Sequence, residues 1–344
     1  MVIILDIKEA LKELTGSIGV SGYEKNALLV AEKYLSKYGK VSVDTLSSII
    51  CEIDGTKSGH ILLDAHIDQI GLIVTDITEN GFVRVAACGG IDRRILCGQT
   101  VTIHGREDVF GVIASTPPHL QGGDNLRKSI AMDKVLIDTG FASEKLKNII
   151  SLGDRITINS DFSELLNNRV VAAALDDRAG MVSILYALSL LEGKPHKKIT
   201  VVFSSREETS EAGAKVASFT AKADEFIAVD VSFAKTPDSN EVECGEIGKG
   251  VMIGIAPSLS YEMSEQLRKI ATDKQIPYQL EIMGGKTGTN ADQMTISRGG
   301  MKSSLLSIPL KYMHTGIEVV SIDDVKSVGA LMAEYILFGG SNNA

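Results

Sequence analysis

Two textures of apolar and polar positions alternate along the chain. Residues 6 to 38 carry helical spacing broken by Gly16, Gly19 and Gly22, which predicts two amphipathic helices with Ser21 as a candidate cap for the second. From Lys40 to Asp54 the pattern turns to β (Val41, Val43, Ile49, Ile50, Ile53). After a Gly55-to-Gly59 turn, the run Ile61-Leu62-Leu63-Asp64-Ala65 predicts a strand that ends on His66. Arg178 to Leu191 is almost continuously apolar and is stopped by Gly193-Lys194-Pro195. This is the pattern of a buried crossover helix leading into the strand Ile199-Thr200-Val201-Val202-Phe203.

Between Gly71 and about Asn159 the texture changes to short β-prone runs separated by glycine turns. They are Gly71-Leu72-Ile73-Val74, Phe82-Val83-Arg84-Val85, Val101-Thr102-Ile103, Val109-Phe110-Gly111-Val112-Ile113 and Arg155-Ile156-Thr157-Ile158. Such spacing predicts a small barrel or sandwich. From Arg169 onward long helices and apolar strands alternate again. The expected fold class is therefore α/β, an open mixed sheet flanked by helices with an inserted small β-barrel-like domain. The sheet domain is discontinuous (1–68 and 165–344) and the insert covers 69–164.

At 344 residues and 44% apolar content the chain can bury a large core. A formal net charge of −9, with lysine and arginine dispersed, argues against nucleic acid as a partner. Cys51, Cys88, Cys97 and Cys244 form no CxxC pair, so they are expected to be reduced and mostly buried rather than bridged or zinc-bound. Val2-Ile3-Ile4-Leu5 is too short for a signal peptide, and no apolar run reaches membrane-spanning length. No membrane association and a cytoplasmic location are expected.

The chemistry is concentrated at the ends of the apolar strands. Glu207-Glu208 follow the Ile199 run, His66 and Asp68 follow the Ile61 run, Asp230 closes Phe226-Ile227-Ala228-Val229, and His314 follows Leu305-Leu306-Ser307-Ile308-Pro309. Asp176-Asp177 precede the apolar helix. In an open α/β sheet the carboxyl ends of parallel strands share one crevice, so residues from 66 to 314 can converge there. Adjacent buried carboxylates are costly without a cation. Imidazole nitrogen mixed with carboxylate oxygen suits zinc, cobalt or manganese better than calcium or copper. Five ligands, one of them bridging, would serve a pair of metal ions with a water between them, and a glutamate beside a ligand would serve as base. Asp68, two residues beyond His66, is placed to hold its other nitrogen.

The motifs Ala65-His66-Ile67-Asp68, Ala174-Leu175-Asp176-Asp177-Arg178-Ala179-Gly180, Glu207-Glu208 with Gly213-Ala214, Val229-Asp230 and Tyr312-Met313-His314-Thr315 resemble the glutamyl aminopeptidase family. That family includes tetrahedral aminopeptidases and proteins once labelled cellulase M. The resemblance extends to Val20-Ser21-Gly22-Tyr23-Glu24 and Pro117-Pro118-His119-Leu120, nearly the whole chain. It implies a metallopeptidase sheet of the phosphorylase/hydrolase type, interrupted by a β-rich domain that helps build a hollow twelve-subunit tetrahedron, a homododecamer built from dimers. It implies that His66 and Asp230 bind one divalent metal ion, Glu208 and His314 a second, and that Asp176 bridges them. Glu207 would be the general base, Asp68 would orient His66, and the substrates would be short peptides losing their N-terminal residues.

The chain departs from the family pattern at Thr209-Ser210-Glu211, at Lys311 and at Thr289-Asn290-Ala291, which touches the pocket wall rather than the ligands. His60, His104 and His196 are read as structural, whereas His119 could reach a neighbouring subunit's site. Gly284-Gly285-Lys286-Thr287-Gly288-Thr289 lacks the Walker spacing and reads as a turn lining the cleft. Two other readings remain. A two-carboxylate glycoside hydrolase of the endoglucanase type leaves His66, His314 and Asp230 idle, and a catalytically inactive scaffold would have lost a ligand or the base.

Overall fold

The computed structural model describes residues 4–116, 120, 129–237, 239 and 244–338. Among them, eight strands form one mixed sheet in the order Lys40–Val43, Ile49–Ile53, Lys197–Ser204, Lys57–His66, Glu225–Phe233, Lys302–Leu310, Val251–Ile255 and Tyr278–Ile282. The four central strands, from Lys197–Ser204 to Lys302–Leu310, run parallel. They are buried along most of their length, and helices cover both faces. That double cover is why these strands read as unbroken apolar runs instead of alternating ones.

On one face the helix Leu175–Leu191 is buried over nearly its whole surface, with Ile7–Thr15, Lys25–Leu35, Tyr261–Asp273 and Ile322–Phe338 in the same core. On the other face the shorter helices Ala212–Ala221 and Ala291–Thr295 pack on Leu62, Val202, Phe226 and Leu305. The six strands Gly71–Ile77, Val83–Cys88, Leu136–Asp138, Asp108–Ile113, Thr100–His104 and Arg155–Ile158 close into a barrel. Its core of Leu72, Val85, Ile103, Ile137 and Ile156 is separate from the sheet's. In Asp108–Ile113 burial alternates, with Val109 and Ile113 inside and Phe110 and Val112 outside.

Three details differ from the sequence pattern. The helix Lys25–Leu35 starts after Glu24 without a side-chain cap, and the Ser21 hydroxyl is instead paired with that of Thr209 at 3.0 Å. Asp230 does not close its strand, since pairing with the Lys302–Leu310 strand continues to Phe233. The cysteines are free, but only Cys51 and Cys88 are buried; Cys97 is exposed and Cys244 is partly exposed. Among the described residues no helix is long and apolar enough to cross a membrane.

The two long buried helices touch through Gly329. A β-carbon there would lie 2.5 Å from the Ser183 carbonyl oxygen and 2.9 Å from the Tyr186 ring. Gly329→Ala is expected to lower stability by about 1–3 kcal/mol through overpacking. The exposed change Lys326→Ala on the same helix should stay within about 0.5 kcal/mol. Thermal unfolding of the two variants checks this, and equal midpoints would contradict it.

Candidate metal centre

The parallel strands bring the predicted residues to one end of the sheet. His66 is the last residue of its strand, and Asp230 lies on the neighbouring strand. Glu207 and Glu208 begin a single helical turn, Glu207–Ser210, flanked by Arg206 and Glu211 at positive φ. Non-glycine residues hold that conformation only where their surroundings impose it. Here the Asp68 carboxylate does so in part, accepting the backbone N–H of Glu207 at 2.9 Å and of Glu208 at 3.2 Å.

Asp176 stands between the two histidines and offers a different oxygen to each. Its Oδ1 is 2.9 Å from His66 Nε2, and its Oδ2 is 3.4 Å from His314 Nε2. His66 Nε2 is also 4.0 Å from Glu207 Oε2 and 4.0 Å from Asp230 Oδ1, while His314 Nε2 is 3.5 Å from Glu208 Oε2. Two donor groups lie close enough to share a cation: His66 with Asp176 and Glu208, and His66 with Asp177 and Asp230.

The far nitrogen of each imidazole meets a carbonyl, which can only accept. His66 Nδ1 donates to the Asp68 carbonyl at 3.1 Å, with the Asp68 carboxylate 3.6 Å away, and His314 Nδ1 donates to the Gly90 carbonyl at 2.8 Å. This pairing leaves Nε2 of both rings facing the acids, the arrangement usual for metal-ligating histidines.

Burial controls the electrostatics. It raises Glu207 to about 7 and Glu208 to about 8, with Asp176 adding to both shifts. It pushes Asp230 and Asp177 well above the usual carboxylate range, each helped by neighbouring acids. For His314 burial works against charge, yet Asp176 and Glu208 lift it to about 9. His66 is raised in the same way by Asp176 and Asp68. Asp176 is lowered despite its burial, because both imidazoles donate to it. Without a cation, then, protons must occupy this cluster to offset its charge. Divalent metal ions would offset it directly, and the nitrogen-and-carboxylate donor set fits them.

Among the described residues no lysine or arginine lines the cleft of about 590 Å³ at this point. The nearby Arg178 is fully buried and donates outward, to the Leu14 carbonyl and the Ser17 hydroxyl. A separate cavity of about 690 Å³ is lined by Tyr34, Tyr38, Leu188 and Leu191 with Asp6, Glu9, Glu192 and His196, but among the described residues these form no metal-ligand group.

Three participants were not singled out from the sequence. Glu318 is fully buried and accepts the backbone N–H of Asp176 at 3.1 Å and of His314 at 2.9 Å, tying two distant segments together. Asp177, adjacent to Asp176, joins His66 and Asp230 in one donor group. Gly90 lies beyond the barrel strand Val83–Cys88, and a β-carbon there would come within 2.9 Å of His314 Nδ1. Nothing local to Gly90 advertises its contact, and of the two Glu318 contacts only the one to His314 is local.

The other histidines have structural partners: His60 the Thr200 hydroxyl, His104 Asp108 and Thr157, His196 the Lys197 carbonyl. His119 lies outside the described residues. In the glycine-rich segment the N–H groups of Thr287 and Gly288 already donate to Asp292, and Thr287 to Thr289 line the cleft. Asn290 donates to both Asp64 and Ser204 at 2.8 Å, which secures a fully buried carboxyl on the His66 strand itself, two residues before His66.

The chain is 32% identical over 330 residues to a lysyl aminopeptidase from Pyrococcus furiosus, covering 92% of this chain and 93% of that protein. Its structure superposes on an aminopeptidase from the archaeon Desulfurococcus kamchatkensis with a TM-score of 0.90 and 31% identity, over 97% and 95% of the two chains. It also matches the Pyrococcus horikoshii TET1 peptidase, described as assembling into a tetrahedron or a large octahedral shell, with a TM-score of 0.85 and 28% identity over 96% and 99%. The profile of the M42 glutamyl aminopeptidases matches residues 47–331. With this match, the sheet-and-barrel fold and the paired donor groups at the strand ends, the chain belongs to the M42 glutamyl aminopeptidase family.

Proposed function

We propose that this metal-dependent aminopeptidase removes N-terminal residues from short peptides with a pair of zinc or cobalt ions, manganese being a third candidate. In this reading His66 and Asp230 would hold one ion, Glu208 and His314 the other, and Asp176 would serve both. The observation that carries the reading is that Asp176 presents separate oxygens to His66 and His314, with further carboxylates on either side. When bound, the ion pair would polarise the scissile carbonyl and lower the pKa of a water.

The chain's own groups do the rest. Glu207 Oε2 faces the cleft, where it can take a proton from the attacking water and return it to the leaving amine. Asp68 holds the turn that carries Glu207 and Glu208, and its carbonyl keeps His66 oriented. Glu318 fixes the spacing of Asp176 and His314 through their backbones. A glycosidase scheme would leave both imidazoles without work.

We further assign residues 1–68 and 165–344 to the catalytic domain and 69–164 to an inserted domain that mediates self-association into a homododecamer built from dimers. Supporting this are the barrel's separate core, the exposed Phe110 and Val112 on its outer face, and the assembly described for the TET1 peptidase. An interior chamber would admit short peptides and exclude folded chains. The free cysteines agree with a cytoplasmic location.

Exhaustive chelation should abolish hydrolysis of aminoacyl substrates, and added zinc or cobalt should restore it; activity that survives chelation would sink the metal assignment. Glu207→Gln should keep the wild-type metal content while turnover falls by about 10²–10⁴-fold. Elemental analysis of that variant decides the point, since loss of an ion together with activity would make Glu207 a ligand. Light scattering should find an assembly much larger than a dimer, and N-acetylated peptides should resist cleavage. A monomer, or digestion inside a folded protein, contradicts the chamber.

A further inference from the structure

The cleft that holds the cluster is also lined by Glu281, a carboxylate that the chemistry above does not use. Asp230 pairs in register with Ser307 on the next strand, and Ser232, two residues on, shares the face of Asp230. Both serine hydroxyls donate to Glu281, Ser232 to Oε1 and Ser307 to Oε2, the latter at 2.6 Å.

Glu281 itself belongs to the outermost strand, Tyr278–Ile282, and reaches inward across Gly254, its register partner. Any side chain at Gly254 would crowd that face, since a β-carbon would lie 3.1 Å from the Leu305 β-carbon. The half-buried carboxylate is thus oriented by one hydroxyl on each oxygen, and among the described residues no lysine or arginine pairs with it. Burial raises its pKa, which the two hydroxyls oppose.

The same cleft combines apolar and acidic lining. Leu305, Met313 and Phe233 supply apolar wall, while Glu211 adds a second carboxylate whose Oε2 is buried without a hydrogen-bond partner. Lys286 influences Glu211 electrostatically but does not line the cleft. Neighbouring strands stand about 4.8 Å apart. The serine that holds Glu281 is therefore one strand spacing from Asp230, a span that suits the four-carbon stem of a lysine. A basic side chain would lay its methylenes on the apolar wall and its charge on the carboxylate.

We infer that Glu281, held by Ser232 and Ser307, is the specificity-determining residue of the pocket for the substrate's first side chain, and that it selects peptides beginning with lysine or arginine. The inference rests on the aminopeptidase reading and adds the substrate class. It also explains how the departures at Thr209-Ser210-Glu211 bear on the pocket wall, since they bring Glu211 into it.

The test compares fluorogenic amides of lysine, arginine, norleucine, leucine and glutamate on the metal-loaded wild-type protein. Norleucine matches lysine's stem without its charge. The kcat/KM for lysine and arginine should exceed that for norleucine by at least about tenfold, the order expected of one charge-assisted hydrogen bond, and glutamate should be the poorest substrate. Glu281→Gln should bring the lysine-to-norleucine ratio toward unity, read as a ratio within one preparation so that loss of folded protein cancels. Hydrolysis in which norleucine, leucine or glutamate equals or surpasses lysine overturns the inference while leaving the aminopeptidase standing. Absence of hydrolysis of every amide overturns both, and a ratio unchanged in Glu281→Gln removes Glu281 from the role.

Discussion

Burying several carboxylates against one another is unfavourable unless something positive offsets them, and the site is organised around that constraint. Asp176, Asp177, Glu207, Glu208 and Asp230 converge within a few ångströms of two imidazoles, and among the described residues no lysine or arginine lines their cleft. Protons on the acids and imidazoles can offset the charge in part, which the raised pKa values of Glu207, Glu208 and His314 express. Divalent cations would do so more completely.

Holding such a cluster together requires rigid support that does not consume the side chains facing the cleft. The chain supplies it through backbone contacts. The Asp68 carboxylate grips two successive N–H groups of the Glu207 turn, and Glu318 grips the N–H groups of Asp176 and His314. In both cases a buried carboxylate is satisfied by the main chain, so the functional side chains stay free to face the cleft. The parallel strands behind them are covered by helices on both sides, which leaves the strand ends as the accessible polar surface. The inserted barrel contributes too, since the Gly90 carbonyl sets the tautomer of His314.

Legibility in the sequence followed the range of the interactions concerned. The buried helix over Leu175–Leu191 and the strand before Glu207 announce themselves because total burial leaves an unbroken apolar run. The barrel's strands were visible as short β-prone segments between glycines, apart from Leu136–Asp138, which is too brief to carry a pattern. Ser21 looked like a helix cap because its residue type fits, but tertiary packing spent its hydroxyl on Thr209. Gly90 could not be read at all, since its contact with His314 spans 224 residues; Glu318 lies only four residues from His314, but its tie to Asp176 spans 142.

By itself the sequence determined the chemical inventory and the order of the elements: acids and histidines placed where apolar runs end, and a β-rich stretch between two α/β stretches. Those features are local, arising from side-chain periodicity and from the cost of polar groups in apolar segments. Only the tertiary structure decided which oxygen of Asp176 faces which imidazole, that Asp177 stands beside Asp230, and that Glu281 crosses a glycine on the neighbouring strand to meet Ser307. Each of these depends on strand order and register. They arise from packing between segments far apart in the chain, and no single segment encodes them.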